Sequence, residues 1–525
     1  MSGDADLSEQ PVNDKRQFIA ALDVGTTTLR CVIVDSNGDT VSTYSVPTKL
    51  IHPQVGYAEI PHEDLWKDTV FVIKSAIEKA NLTPSEIKTL GITTQRATFI
   101  TWDRESGIPY HNFITWKDIR CNELVKLWNR SFMFRSFKSV AYTLYLCTRN
   151  PRYLAGSSIK FTSSHTTMRL LYMLDNIPAM RKNIKNLMFG TVDTWLLYKL
   201  TAGRQYVTDY GNATSTGLVD PFEMDWSTIM HKILNIPRHI YPEIVANDYD
   251  LGYTEENVFG VRIKIGSLMA DAQTSMIGTC CYSDDILKLT MGTGTFLNII
   301  TPKLHPGVTG IYPVVYYKLE DKLCYMAEAA CNDTGTVITW ALKSGLCENP
   351  AETANMASSV TNNDGVYFIP AFSGLGPPIY DEKAASGFFG IKPTTRREHM
   401  VRAILESIVF RIMLQYGTLR NDLDNEINTI YVDGGVSKNN FICQLLADMT
   451  GIVVERAISS EMSVLGAAYI AGLNTGIWKS REELSKMRRV DCIFRPTEDK
   501  NVRSAHFREF DTWQKVIERF KGWYP

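Results

Sequence analysis

Nothing in this 525-residue chain marks it for a membrane span, a nucleic acid or a bound structural metal. No apolar run approaches the roughly 18 residues that cross a bilayer. The formal charge is only −2, which supplies no overall pull toward nucleic acid or anionic lipid. Ten cysteines contain no C-x-x-C pair, and nine histidines show no metal-ligand spacing, so no zinc site is expected. Cys31, Cys324 and Cys443 fall inside apolar patterns, where a thiol acts as a small hydrophobe. Reduced thiols and a cytoplasmic location follow as expectations. Residues 1–16 are polar, carry Asp4, Asp6 and Glu9, and lack the apolar centre of a targeting peptide; they read as a disordered N-terminal tail.

What is present is a soluble composition, 44% hydrophobic and 21% charged, on a chain too long for one core. Two large domains are the natural expectation. The stretch from Phe18 to Asp35 organises the first: an apolar strand ends at Asp23, Gly25 and Thr26, Thr27 and Thr28 form a tip, and a strand resumes through Arg30. A glycine lets the backbone approach an anion, and hydroxyls with free amides can ring phosphate oxygens. Asp23 is then a candidate to hold Mg²⁺ through its water shell.

The plan recurs. Ile286 to Ile300 is again strand, tip (Met291-Gly292-Thr293-Gly294-Thr295), strand. A third glycine turn, Asp433-Gly434-Gly435, follows the strand Thr429–Val432 and precedes a helix whose N-terminus suits a phosphate or ribose. The repeat predicts an internal duplication, each half opening on a phosphate-grasping hairpin. Between them, Thr89–Thr94 reads as a strand delivering Gln95 and Arg96, and Asn112–Trp116 as another ending in an aromatic and charged cluster. Val261–Ala270 reads as a strand that presents Asp271 at a helix start, where an aspartate also serves as an N-cap. Phe189–Thr201 reads mostly as a buried helix that Asp193 can cap, Thr208–Ala213 as a polar loop, and Phe507–Trp523 as an amphipathic helix packed back on a lobe. Leu124 to Lys160 is basic, free of acids and interleaved with aromatics, which predicts helices packed by one side and leaves a membrane-surface or protein contact open.

With those turns in place the chain resembles the FGGY family of carbohydrate kinases, within the actin-like ATPase superfamily, over roughly residues 17–490. Ser386-Gly387-Phe388-Phe389-Gly390-Ile391 followed by His399 to Glu406 is similar to the second family signature. Thr94-Gln95-Arg96, Phe189 to Trp195, Met291 to Thr295 and Phe372 to Gly376 resemble glycerol kinases in particular, and Gln95 to Trp102 a divergent branch of them. The resemblance implies an α/β fold of two actin-like (ribonuclease H-like) domains with an interdomain catalytic cleft. The domains expected are 17–278, on the substrate and Mg²⁺ side, and 279–490, on the nucleotide side, with 491–525 a C-terminal helical tail.

It also implies ATP-dependent transfer to a hydroxyl of glycerol or a related small polyol. By motif position, Asp271 is the general base, Arg96 and Trp116 face the acceptor, and Asp23 organises Mg²⁺. Thr26, Thr27, Thr28, Arg30, Thr293, Gly335, Gly435 and Asn439 surround the nucleotide. The family pattern is broken at Ala97, where glycerol kinases have glutamate, and at Ala272 and Thr339, where they have glutamine. The substrate tyrosine has no counterpart in Thr162–Thr166. A regulatory nucleotide-binding protein with weak or no glycerol kinase activity, or a kinase for another small sugar, is the alternative these losses suggest. The partners expected are ATP and a polyol or sugar, with no nucleic acid; a homo-oligomer stays open.

Overall fold

The computed structural model describes residues 16–305, 307, 310–319 and 322–524. The expected tail lies outside them except for Arg16, whose guanidinium pairs with Asp35 at 2.9 Å.

Two mixed sheets carry the molecule. The first is built from β1 (Phe18–Val24), β2 (Thr28–Asp35), β3 (Thr40–Pro47), β4 (Ile87–Thr94) and β5 (Lys264–Ala270). Their spatial order is β5-β4-β1-β2-β3. The second uses β6 (Ile286–Met291), β7 (Thr295–Thr301), β8 (Tyr312–Leu319), β9 (Lys322–Cys331), β10 (Thr429–Asp433), β11 (Val453–Ala457) and β12 (Val490–Phe494). Its order is β8-β9-β7-β6-β10-β11-β12. Dropping the two edge strands leaves β9-β7-β6-β10-β11, the same sequence order as β3-β2-β1-β4-β5: the duplication predicted from the two hairpins is present in the topology.

Strand alternation explains the layering. Ala20 and Leu22 face one side of the first sheet, where α1 (His62–Lys79) covers them with Val72, Ile73 and Ala76. Ile19 and Ala21 face the other side, into a core shared with Met276 and Ile277 of α6 (Asp271–Gly278) and Val464, Ala467 and Ala468 of α8 (Met462–Asn474). Helix α8 thus leaves the second sheet and packs beneath the first. It crosses α6 so closely that a Cβ on Gly466 would overlap the Thr274 carbonyl, and one on Gly278 the Met462 carbonyl. The second lobe has its own core, to which α9 (Lys500–Phe520) contributes Trp513, Val516 and Ile517. Strand β12 and α9 therefore build residues 491–520 into the layers of that lobe. No helix among the described residues is long and apolar enough to cross a membrane.

Four local expectations change. Phe189–Thr201 divides into a strand, Leu187–Thr191, and a helix, Val192–Leu200, because Phe189 and its neighbours pair with Phe99–Asp103 in a separate four-stranded sheet. Thr191, not Asp193, is the N-cap residue, and the buried Asp193 carboxylate accepts from the Thr208 hydroxyl at 2.7 Å. Thr208–Ala213 is no loop: strand Val207–Asp209 runs into helix Tyr210–Ser215, which Asp209 caps by accepting from the Gly211 and Asn212 amides. The strand expected over Asn112–Trp116 shortens to Phe113–Ile114, leaving Trp116 on a loop.

Candidate active site

Strand register places the first lobe's polar groups along one edge. Asp23 lies opposite Thr93 of the parallel β4 and opposite Arg30 of the antiparallel β2, while Ala270 lies opposite Thr94. The carboxyl ends of β1, β4 and β5 therefore bring Asp23, Arg96 and Asp271 to one mouth, the place where open α/β sheets bind ligands.

Asp271 is the first residue of α6, one position past the N-cap residue Ala270, and its Oδ1 accepts from the Ala272 amide at 2.7 Å. Its side chain keeps 40% of its surface, and Arg96 Nε stands 3.6 Å from Oδ1. Loss of water around the carboxyl raises its pKa; Arg96 and the Ala272 amide pull it back, and the charge of Glu328 pushes it up again. Below it, Thr274 and Thr93 join hydroxyls at 2.7 Å and tie α6 to β4.

Arg96 does not reach into the mouth alone. Its Nη2 donates to both oxygens of Glu328, at 2.9 and 2.8 Å. Glu328 belongs to β9 of the other lobe, opposite Asn298 of β7, whose amide holds it at 3.1 Å. The bridge crosses between lobes, and the sequence reading missed it, because 232 residues separate the partners.

Asp23 Oδ2 accepts from Ser463 of α8 at 2.7 Å. Burial pushes its pKa up to about 6, against the Ser463 hydrogen bond; Asp271 adds to the rise and Arg30 opposes it. Arg30 itself is paired with Glu461, the N-cap residue of α8. At the tip, Gly25 closes a turn onto Thr28, Thr26 receives the Trp116 indole N–H at 2.8 Å, and Thr26 in turn donates to Gln95 at 3.2 Å. Thr27 points to solvent. Among the described residues no group of three or more His, Cys, Asp or Glu is placed to hold a metal. A divalent ion here would have Asp23 as its protein carboxylate and would take its other oxygens from water and phosphate, which suits Mg²⁺.

On the second lobe Thr293 and Gly335 meet, since the Gly335 amide donates to the carbonyls of Gly292 and Thr293 at 3.0 Å. Gly434, at φ +86°, backs against Met291 so tightly that only glycine fits, while Gly435 is exposed with open space around it. Asn439 caps α7 (Asn440–Thr450), accepting from Ile442, and donates to Thr353 at 2.9 Å, so its side-chain amide is already engaged. Under this edge Lys288, fully buried, pairs with Asp433 at 2.9 Å and donates to Ser275 of α6 at 2.6 Å.

The acceptor side departs from the expected pattern in a defined way. Ala97 occupies the left-handed region at φ 58°, and its carbonyl accepts from Arg169 at 2.8 Å. Arg169, fully buried on α5 (Thr166–Asn176), also donates to the carbonyls of Ile114, Thr115, Ser163 and Ser164. Five hydrogen bonds from one guanidinium pin the Ala97 and Trp116 loops together. Burial, only partly offset by Cys121 and Asp118, brings its pKa down to about 10.

Two duplicated lobes facing each other across paired glycine turns, with one carboxylate at a hairpin tip and another at a helix head, define a phosphotransferase of the actin-like ATPase class. The chain belongs to the FGGY family of carbohydrate kinases: the N-terminal domain of that family matches residues 18–278 and the C-terminal domain residues 287–475. It is 40% identical to glycerol kinase 5 of Bos taurus, covering the whole of both chains, and 41% identical to glycerol kinase 5 of Danio rerio over 97% of this chain and 98% of that one. Its fold superimposes on a crystal structure of Plasmodium falciparum glycerol kinase with ADP, at a TM-score of 0.85 and 28% identity, covering 96% and 98% of the two chains.

Proposed function

We propose that this protein transfers the terminal phosphoryl group of ATP to a hydroxyl of glycerol or a closely related small polyol, giving glycerol 3-phosphate and ADP. The observation that carries the reading is the Asp271 carboxylate at the head of α6. It is half open to the mouth, faces Arg96, and lies on the strand edge that also presents the Asp23 hairpin.

In this reading Arg96 and the Trp116 loop hold the polyol, and Glu328 fixes the guanidinium so that it points at both acceptor and base. Asp271 Oδ1 is engaged by the Ala272 amide, so Oδ2 takes the hydroxyl proton as the oxygen attacks the γ-phosphorus and ADP leaves. Thr26, Thr27, Thr28 and Arg30 meet the phosphates from the first lobe. Thr293, Gly335 and Gly435 meet the nucleotide from the second, and Asn439 acts through the helix it caps. Mg²⁺, held through Asp23, neutralises phosphate charge when bound. Closure of the lobes excludes water, the competing acceptor. A cytoplasmic setting fits ten free thiols.

A regulatory role without turnover draws on the lost partners at Ala97, Ala272 and Thr339. The two retained carboxylates and the full-length likeness to glycerol kinases outweigh it.

The test is ADP release with Mg²⁺-ATP across glycerol, dihydroxyacetone, tetritols and pentuloses. Glycerol-stimulated turnover is expected, with Asp271→Asn lowering kcat by about 10²–10⁴-fold and changing the KM for ATP little. Turnover by a pentulose alone would reassign the acceptor. No stimulated turnover by any acceptor would overturn the reading.

A further inference from the structure

Helices α2 (Asn122–Arg130), α3 (Phe132–Thr148) and α4 (Pro151–Ser158) stand between the Trp116 loop and α5, outside the machinery just described. Helix α3 seats one stripe on the lobe: Phe134 stacks on Phe161 at 4.4 Å, and Ala141 is buried. Its other side carries large apolar groups interleaved with Arg135, Ser139 and Thr143. Phe132 is 87% and Val140 58% exposed, and Met133, Tyr142, Leu144 and Leu146 are exposed with them. At about 100° per residue these side chains spread over roughly 200° of the helix circumference. A monomer surface seldom leaves such a patch uncovered.

The charge along this stretch of sequence has one sign. From Leu124 to Leu174 the sequence has no aspartate or glutamate. Arg130, Arg135, Lys138, Arg149 and Lys160 carry no ion pair among the described residues, unlike Lys126 and Arg152, which pair with Glu123 and with Asp220 and Glu223.

We propose that α3 is an interfacial anchor that lies in the headgroup layer of an anionic phospholipid bilayer. The apolar stripe by which a helix packs onto protein is typically little more than 100° wide. Immersion in the headgroup and upper acyl region wets more than half the circumference at once, without shape complementarity, and leaves long basic side chains to meet lipid phosphates and carboxylates. At 17 residues the helix is about 25 Å long, short of a span, so it lies on the membrane.

The experiment uses the full chain and vesicles of phosphatidylcholine, with or without 30% phosphatidylserine. Cys147, the one exposed cysteine among the described residues, sits on α3 and takes an environment-sensitive dye. Sedimentation with the anionic vesicles and a blue shift of the dye are expected, both weakened by salt. Replacing Arg135, Lys138 and Arg149 by Ala is expected to lower partitioning about 100-fold, at roughly 5-fold per cation. Phe132→Ser with Val140→Ser and Leu144→Ser is expected to abolish the dye shift. Kinase turnover and the melting temperature of both variants stay at wild-type values, which separates lost docking from lost folding. Absence of vesicle binding, equal binding to both vesicle types, or a dimer in light scattering that the serine variant dissolves without any lipid binding would overturn the proposal.

Discussion

Asp23 illustrates what the site demands of single residues. Its carboxyl is pushed up to about 6 in the fold, against an ordinary value near 3.8, so the folded chain binds its proton more tightly than the unfolded chain does. Stability from this group is therefore greatest below the unfolded value and falls as pH rises through about 4 to 6. At neutral pH the buried charge costs up to about 3 kcal/mol. Asp23→Asn is expected to raise the melting temperature of the ligand-free protein at pH 7.5 and to weaken Mg²⁺-ATP binding at least tenfold; thermal shift with and without Mg²⁺-ATP checks both.

Asp193, fully buried and at about 7, titrates with the same sign and adds to a melting temperature that is higher at pH 6 than at pH 8. Glu328 acts on Asp271 through Arg96. Glu328→Gln frees the guanidinium to pair with Asp271, which lowers the pKa of the proposed base. The acid limb of the kcat/KM profile is expected to move to lower pH and its plateau to fall, with Glu328→Asp restoring part of the loss.

Among the elements, the crossing of α6 and α8 decides most. α6 starts with Asp271, and α8 supplies Ser463 to Asp23 and Glu461 to Arg30. Their approach rests on Gly278 and Gly466, which have no room for a side chain against opposing backbone. Gly466→Ala forces the helices apart. It is expected to destabilise the fold by about 1–3 kcal/mol, read in a denaturant titration, and to lower kcat by more than the loss of folded protein explains. Such a crossing is invisible to periodicity, since α8 comes from the second half of the chain and covers the sheet of the first.

For the whole molecule, the Arg96–Glu328 bridge and the buried Lys288–Asp433–Ser275 cluster both join the lobes. Ligands that touch both lobes stabilise by mass action. A concentration of Mg²⁺-ADP 100-fold above its Kd is expected to add about 2.7 kcal/mol. Arg96→Ala is expected to leave that nucleotide response intact while removing any added shift from glycerol, a difference that calorimetry with the two ligands resolves.

The sequence by itself determined the two hairpins, their duplication, the glycine turns and the carboxylates at strand ends. Each is written in contiguous residues whose pattern has a local cause: period-two alternation, a glycine where the backbone must turn, an aspartate where a strand stops. It also showed the basic, aromatic character of α3, but not which side of that helix the lobe would leave bare. Only the tertiary structure decided that Glu328 and Ser463 join Arg96 and Asp23, and that Arg169 locks the Ala97 loop through five carbonyls. It likewise decided that Leu187–Thr191 is a strand. These depend on partners tens to hundreds of residues away, where burial and long-range pairing outweigh the local preferences a sequence displays.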